Sequence, residues 1–177
     1  MAGLYLASQS PRRTELLTQV GIDHIVVSST YEEPNEGYDS PIEMVKAQAM
    51  GKARSAVGVP EGSIVLGADT IVVLDNEVLG KPQDEADARQ MLERLSGRCH
   101  SVITGVALLI KGKEVVFHNE TKVYFKELAP FEIESYIASG EPMDKAGAYG
   151  IQGKGALWVE KIEGSYTNVV GLPVEHV

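Results

Sequence analysis

Apolar residues along this chain recur at two spacings, every second position in some stretches and every third or fourth in others. Strands and helices are therefore expected to alternate. Leu4–Ser8 reads as a strand and Pro11 to about Val20 as a helix, stopped at Gly21. Ile25–Ser29 reads as a second strand, while Tyr31–Asp39 has no apolar period and reads as a loop. Ser40-Pro41-Ile42-Glu43 is a capping box with proline at the first helical position. The helix it opens carries Ile42, Val45, Ala49, Ala53 and Ala56 on one face and leaves Lys46 and Lys52 off that stripe. Ser63–Ala68 is almost wholly apolar, as a central strand covered on both faces would be. Ile71–Leu74 and Glu77–Leu79 flank Asp75-Asn76, a hairpin turn pair. Asp84 caps a helix running to about Leu95, closed by Gly97. Two alternating strands follow, His100–Ile110 and Glu114–Phe125, then a helix over Pro130–Ser139 ended by Gly140. Gly147 to Gly155 holds four glycines in nine residues, and Ala156–Ile162 is the last strand. The pattern predicts an α/β fold: a mixed twisted sheet with flanking helices and at least one antiparallel ribbon, in one domain over 1–177.

Composition narrows the function classes. A chain of 177 residues buries enough surface to need no disulfide or structural metal. The single Cys99 excludes an intramolecular disulfide and a cysteine-based zinc site, and it fits a reducing cytoplasm. The four histidines, His24, His100, His118 and His176, show no metal-ligand spacing. No apolar run reaches the ~20 residues that span a bilayer, and no signal peptide is visible, so neither a membrane nor a secretory role is expected. A formal net charge of −9 argues against nucleic acid as a partner. It leaves room for a small phosphorylated ligand held by a local cluster of cations, and for a divalent metal held by carboxylates.

Such a cluster stands at the start. Ser10-Pro11 reads as a helix N-terminus, with Ser10 as N-cap, and Arg12 and Arg13 sit in the first turn. Two cations at the positive end of a helix dipole are misplaced for stability but well placed for an anion. The plainer reading is a surface helix whose arginines pair with nearby carboxylates. Asp69 follows the apolar strand directly, where open α/β sheets form their ligand crevice; the alternative is a structural turn cap. The hairpin that starts from Asp69 ends at Gly80-Lys81-Pro82, which returns the Lys81 ammonium toward the same end of the sheet. Glu32 and Glu33 read as a solvated loop unless one of them shares a Mg²⁺ with Asp69, and Lys52 by itself reads as a surface lysine. The segment Gly147–Gly155 fails the Walker A pattern, because Ala148 occupies the required glycine position and Gly155 follows Lys154. Its glycines suggest a backbone that approaches a ligand closely, and Gln152 offers a donor and an acceptor suited to the edge of a base.

Five motifs carry a family resemblance: Ser8-Gln9-Ser10-Pro11-Arg12-Arg13, Gly67-Ala68-Asp69-Thr70, Gly80-Lys81-Pro82, the run Asp144 to Gly153, and Val169-Val170-Gly171-Leu172-Pro173. In this order, over residues 4 to 174, the chain resembles the Maf (septum-formation-inhibitor-like) nucleotide pyrophosphatases. The resemblance implies a mixed α/β sheet with two lobes around a deep cleft, similar to inosine-triphosphate pyrophosphatases. It implies hydrolysis of nucleoside triphosphates to the monophosphate and pyrophosphate, with a divalent metal (Mg²⁺, Mn²⁺ or Co²⁺). By position, Asp69 is the catalytic acid-base residue, with Lys81 and Glu33 completing the catalytic set and Glu33 and Asp69 holding the metal. Ser8, Ser10, Arg12, Arg13 and Lys52 line the triphosphate site, and Arg12, Thr70 and Gln152 match positions linked to choice of base. The Ala-Tyr-Gly-Ile-Gln-Gly form of the glycine segment resembles the branch acting on dTTP and UTP, with modified pyrimidine nucleotides kept open as substrates. A homodimer is among the expectations. Relatives run past the Leu-Pro motif into a terminal helix, whereas this sequence stops at Val177. Two competing expectations use the same residues: a nucleotide-binding regulator of cell division without catalysis, and a metal-independent phosphatase releasing orthophosphate.

Overall fold

The structure, a computed structural model, describes residues 3–31 and 37–176. The chain divides into two compact units: residues 1–70, 104–119 and 171–177 form the first, and 71–103 with 120–170 the second. Among the described residues, seven strands make one mixed sheet in the order β2-β1-β3-β5-β6-β7, with β4 paired to β3. They are β1 (Leu4–Leu6), β2 (Ile25–Val26), β3 (Ile64–Leu74), β4 (Glu77–Leu79), β5 (Cys99–Ile110), β6 (Lys113–Phe125) and β7 (Val159–Glu163). The helices are α1 (Pro11–Gln19), α2 (Pro41–Arg54), α3 (Glu85–Leu95), α4 (Pro130–Ala138) and α5 (Tyr166–Val170). The expected mixed α/β architecture is therefore observed.

In the first unit, β1 runs parallel to both β2 and β3, with Tyr5 facing Ile25 on one side and Val65 on the other. Helix α2 starts as anticipated: the Ser40 hydroxyl accepts from the Glu43 N–H at 3.2 Å and Pro41 occupies the first turn. Its apolar face buries Val45, Ala49, Met50 and Ala53, the last three in a cluster with Ala7, Val65 and Ala107. Gly67 lets this helix settle on β3, because a Cβ there would overlap the Ala49 carbonyl. That close seating brings the end of α2 beside Asp69.

In the second unit, β3 and β4 pair antiparallel, Val72 opposite Leu79, through Asp75 and Asn76 at φ 51° and 64°. Both turn residues are left-handed, as the tight hairpin requires. Asp84 caps α3 by accepting from the Asp87 N–H at 2.7 Å, and Leu92 and Leu95 are buried. Among the described residues no helix is long and apolar enough to cross a membrane.

Two expectations are corrected. The apolar strand does not stop before Asp69: β3 continues unbroken through Leu74, so Asp69 lies within it. Asp is disfavoured in strands, but a tertiary partner described below compensates it. Ala156–Trp158 is not strand: it belongs to a 3₁₀ turn over Lys154–Trp158, and β7 begins at Val159. Helix α5 was not legible, because Thr and Val are weak helix formers. It is held from outside: Asn168, fully buried, donates through Nδ2 to the Val102 carbonyl at 3.1 Å and the Thr121 hydroxyl at 2.9 Å.

Candidate active site

Among the described residues of the first unit Asp69 is the most deeply buried acid, 8% exposed. Burying a carboxylate is unfavourable without a counter-charge. Lys52, at the last turn of α2, supplies one: its Nζ donates to Asp69 Oδ1 at 3.1 Å and to the Ala68 carbonyl at 3.3 Å. The same ammonium thus touches backbone and side chain of adjacent strand residues, which fixes the carboxylate's orientation. Lys52, unremarkable by its spacing alone, is brought against Asp69 by the seating of α2 on β3.

Around the start of α1 the structure departs from the simple capping picture. Ser10 occupies the N-cap position, but its side chain makes no capping bond. Its backbone N–H instead donates to the Ser8 hydroxyl at 3.2 Å. Arg12 is half-buried and Arg13 is buried, 8% exposed. The Arg13 guanidinium forks onto three oxygens: Nε donates to the Gly171 carbonyl at 2.7 Å, Nη1 to the Ser8 hydroxyl at 2.9 Å and Nη2 to the Thr70 hydroxyl at 3.0 Å. Thr70 Oγ1 lies 2.8 Å from Thr104 Oγ1. Ser8, Arg13, Thr70, Thr104 and Gly171 therefore form one bonded group, contiguous with Asp69 through the β3 backbone. The reading of Arg13 as a surface arginine paired with a carboxylate does not describe these three acceptors.

Lys81 and Gln152 belong to the second unit, and both side chains are exposed. Glu33, like Glu32, lies outside the described residues. The glycine segment is built differently from expectation. Gly147, at φ 71°, donates to the Gly80 carbonyl at 3.1 Å, and a Cβ on it would meet the Val72 methyl groups. A Cβ on Gly153 would strike the Glu141 carboxylate, and one on Gly155 the Gly150 carbonyl. These glycines make room for neighbouring protein atoms, which is a packing requirement and not by itself a ligand's approach path. Aromatic anchors complete the segment. Gly150 N–H donates to the Tyr136 hydroxyl at 2.9 Å, and the Tyr149 hydroxyl lies 2.6 Å from His100 Nε2. Phe125 meets Tyr149 edge-on at 4.7 Å and Tyr136 meets Trp158 at 4.6 Å between centroids. Burial holds His100 neutral, its pKa pushed down to about 4, and drives the Tyr149 hydroxyl's pKa upward.

Among the described residues no three His, Cys, Asp or Glu side chains gather as a metal cage. The donor chemistry at Asp69 is nonetheless that of a hard cation: a carboxylate whose Oδ1 is already oriented by Lys52. Mg²⁺ and Mn²⁺ are commonly held by one or two carboxylates with phosphate oxygens and water completing the shell. One oriented carboxylate fits a cation that takes its remaining ligands from other groups.

The chain belongs to the Maf-like protein family, whose model matches residues 3–177. Among its relatives, a dTTP/UTP pyrophosphatase of Symbiobacterium thermophilum is 55% identical over 174 residues, covering 98% of this chain and 90% of that protein. A dTTP/UTP pyrophosphatase of Bacillus cytotoxicus is 53% identical over 174 residues, covering 98% and 91%. One from Bacillus cereus is 49% identical over 177 residues, covering 100% and 93%. Among solved structures, the Staphylococcus aureus Ham1 protein matches 86% of this chain and 88% of its own, at 10% identity and a TM-score of 0.43.

Proposed function

We propose that this chain is a nucleoside triphosphate pyrophosphatase that hydrolyses dTTP and UTP to the monophosphate and pyrophosphate, acting on free nucleotides in the cytoplasm. The observation that carries the reading is a buried Asp69 carboxylate oriented by Lys52. It sits in a chain about half identical, over its full length, to relatives bearing that name.

Water attacks the α-phosphorus in line with the bridging oxygen to the β-phosphorus. The new P–O bond forms as the bridging P–O bond breaks, and the electron pair leaves with pyrophosphate. Asp69 orients the water and takes its proton. Lys52, bonded to Oδ1, holds the carboxylate in the angle this transfer needs. Arg12, with the Ser8 and Ser10 hydroxyls, stabilises charge that grows on the departing pyrophosphate, where preorganised donors act most strongly. Asp69, and by the family resemblance Glu33, would hold a divalent cation (Mg²⁺, Mn²⁺ or Co²⁺), which would supply Lewis-acid neutralisation of phosphate charge when bound.

Base choice falls to Arg12, Thr70 and Gln152. Thymine and uracil present O4, an acceptor, beside N3–H, a donor. The Gln152 amide answers both in one orientation, whereas cytosine reverses the pattern. The test is a panel of nucleoside triphosphates with Mg²⁺, Mn²⁺ and Co²⁺, following pyrophosphate and monophosphate together. Equimolar release from dTTP and UTP, with CTP slower, is the expected result. Binding without release, or orthophosphate as product, would overturn it.

A further inference from the structure

We infer that Arg13 is a positioning residue: its buried guanidinium acts through the Thr70 hydroxyl to set base selectivity, rather than by gripping the triphosphate. The inference rests on the reading of Thr70 as a base-choice residue and deepens it.

Arg13 stands in the basic first turn, where a phosphate ligand would be sought, yet its side chain is 8% exposed and turned into the protein. All three bonds described above run to neutral oxygens, from three separate stretches of the first unit: Ser8 after β1, Thr70 in β3 and Gly171 near the C-terminus. Arginine has a planar fork with donors at fixed angles spread over three nitrogens, a geometry that lysine's single rotatable ammonium does not reproduce. Thr70 Oγ1 has one proton and two lone pairs. Arg13 Nη2 can only donate, so it occupies one lone pair and turns the hydroxyl proton away from itself. Thr104 Oγ1 at 2.8 Å shares either the proton or the second lone pair. The Gly171 carbonyl, at 3.5 Å, is the weaker acceptor for that proton and also accepts from Arg13 Nε at 2.7 Å. Arg13 thus fixes one lone pair and the position of the Thr70 hydroxyl, and Thr104 holds it from a second side. Releasing one of them leaves the hydroxyl free to rotate and to answer either pattern of base edge.

Arg13→Lys separates this role from phosphate binding, because lysine keeps the charge and is a competent phosphate ligand but loses the fork. The experiment measures kcat and KM for UTP and CTP, and inhibition by pyrophosphate, in the wild type, Arg13→Lys, Thr70→Val and the double variant. The ratio of kcat/KM for UTP over CTP should fall roughly tenfold in Arg13→Lys, the size of one charge-assisted hydrogen bond. The double variant should match Thr70→Val alone, since Arg13 acts through the group that has been removed. The inhibition constant of pyrophosphate should move less than the ratio does. A preserved ratio, with KM for both nucleotides and the pyrophosphate constant rising together, would overturn the inference and make Arg13 a phosphate ligand. A wild type that does not distinguish UTP from CTP would instead sink the base-choice reading, and this inference with it. If Arg13→Lys fails to fold in a thermal melt, Ser8→Ala and Thr104→Val carry the test, because each loosens the group and keeps the guanidinium. Each should lower the ratio about threefold, and an unchanged ratio in both would overturn the inference.

Discussion

The region around Asp69 and the glycine segment around Gln152 are both polar in sequence, yet they are held by different physics. Around Asp69, order comes from charge. A lysine stands 3.1 Å from a buried carboxylate, and an arginine forks onto three oxygens nearby. Around Gln152, order comes from shape. Glycines admit Val72, Glu141 and Gly150, and an edge-to-face ring cluster of His100, Phe125, Tyr149, Tyr136 and Trp158 backs the segment. The difference matters for function. Directional charge in a low-dielectric setting can steer a proton, whereas a sterically fixed backbone can present one amide at a constant angle without charge of its own.

The largest expected effect breaks the charged region. Asp69→Asn keeps the shape and one acceptor for Lys52 but removes the base. Turnover should fall by about a thousandfold, within the range for loss of a general base, with nucleotide affinity retained. Steady-state kinetics beside equilibrium nucleotide binding checks this. Turnover within about tenfold of the wild type would take Asp69 out of the proton transfer.

Acid probes the region built by shape. His100 is 2% exposed, and burial lowers its pKa from 6.5 to about 4. The unfolded chain therefore binds a proton in a window where the folded chain does not. This contribution to stability is present above about pH 6.5 and is lost as pH falls toward about 4. Between about pH 7 and about pH 4.5 the loss is on the order of 2–3 kcal/mol. Denaturant titrations at the two pH values measure it. His100→Gln, which keeps a partner for the Tyr149 hydroxyl, should remove most of that difference. Equal pH dependence in variant and wild type would mean that His100 is not held neutral.

A somewhat smaller effect asks what the glycines are for. Gly147→Ala forces a side chain to φ 71° and onto Val72. It should cost about 2 kcal/mol, read as a lower melting midpoint with and without nucleotide. An unchanged midpoint with a raised KM would show that the glycine serves the ligand, as the sequence alone suggested.

What could be read from the sequence was local. The Ser40 and Asp84 caps, the Asp75-Asn76 turn and the proline starts each depend on residues within a few positions, and the structure reproduces them. What escaped depends on distant partners. Asp69 remains in a strand because Lys52, seventeen positions earlier, meets it. Arg13 is turned inward by a carbonyl 158 positions away. Helix α5 relies on Asn168 reaching back to Val102. The glycines mark that segment as tight, and the structure shows that protein atoms fill the space their missing side chains leave. The proposed role of Glu33 lies outside the described residues.

The smallest effect sharpens the comparison most, because it separates presenting a group from holding the fold. Gln152 is exposed, while Ile151 before it and Gly155 after it are buried, so its side chain carries little of the segment's packing. Gln152→Glu removes the amide donor and leaves the backbone as it is. The preference for dTTP and UTP over CTP, as a ratio of kcat/KM, should fall about tenfold, the worth of one hydrogen bond to a base edge. The melting midpoint should stay within about 1 °C, because exposed substitutions away from packing are nearly neutral. A large drop in stability with unchanged preference would reverse the assignment. Gln152 would then belong to the scaffold, and base choice would rest on the charged side alone.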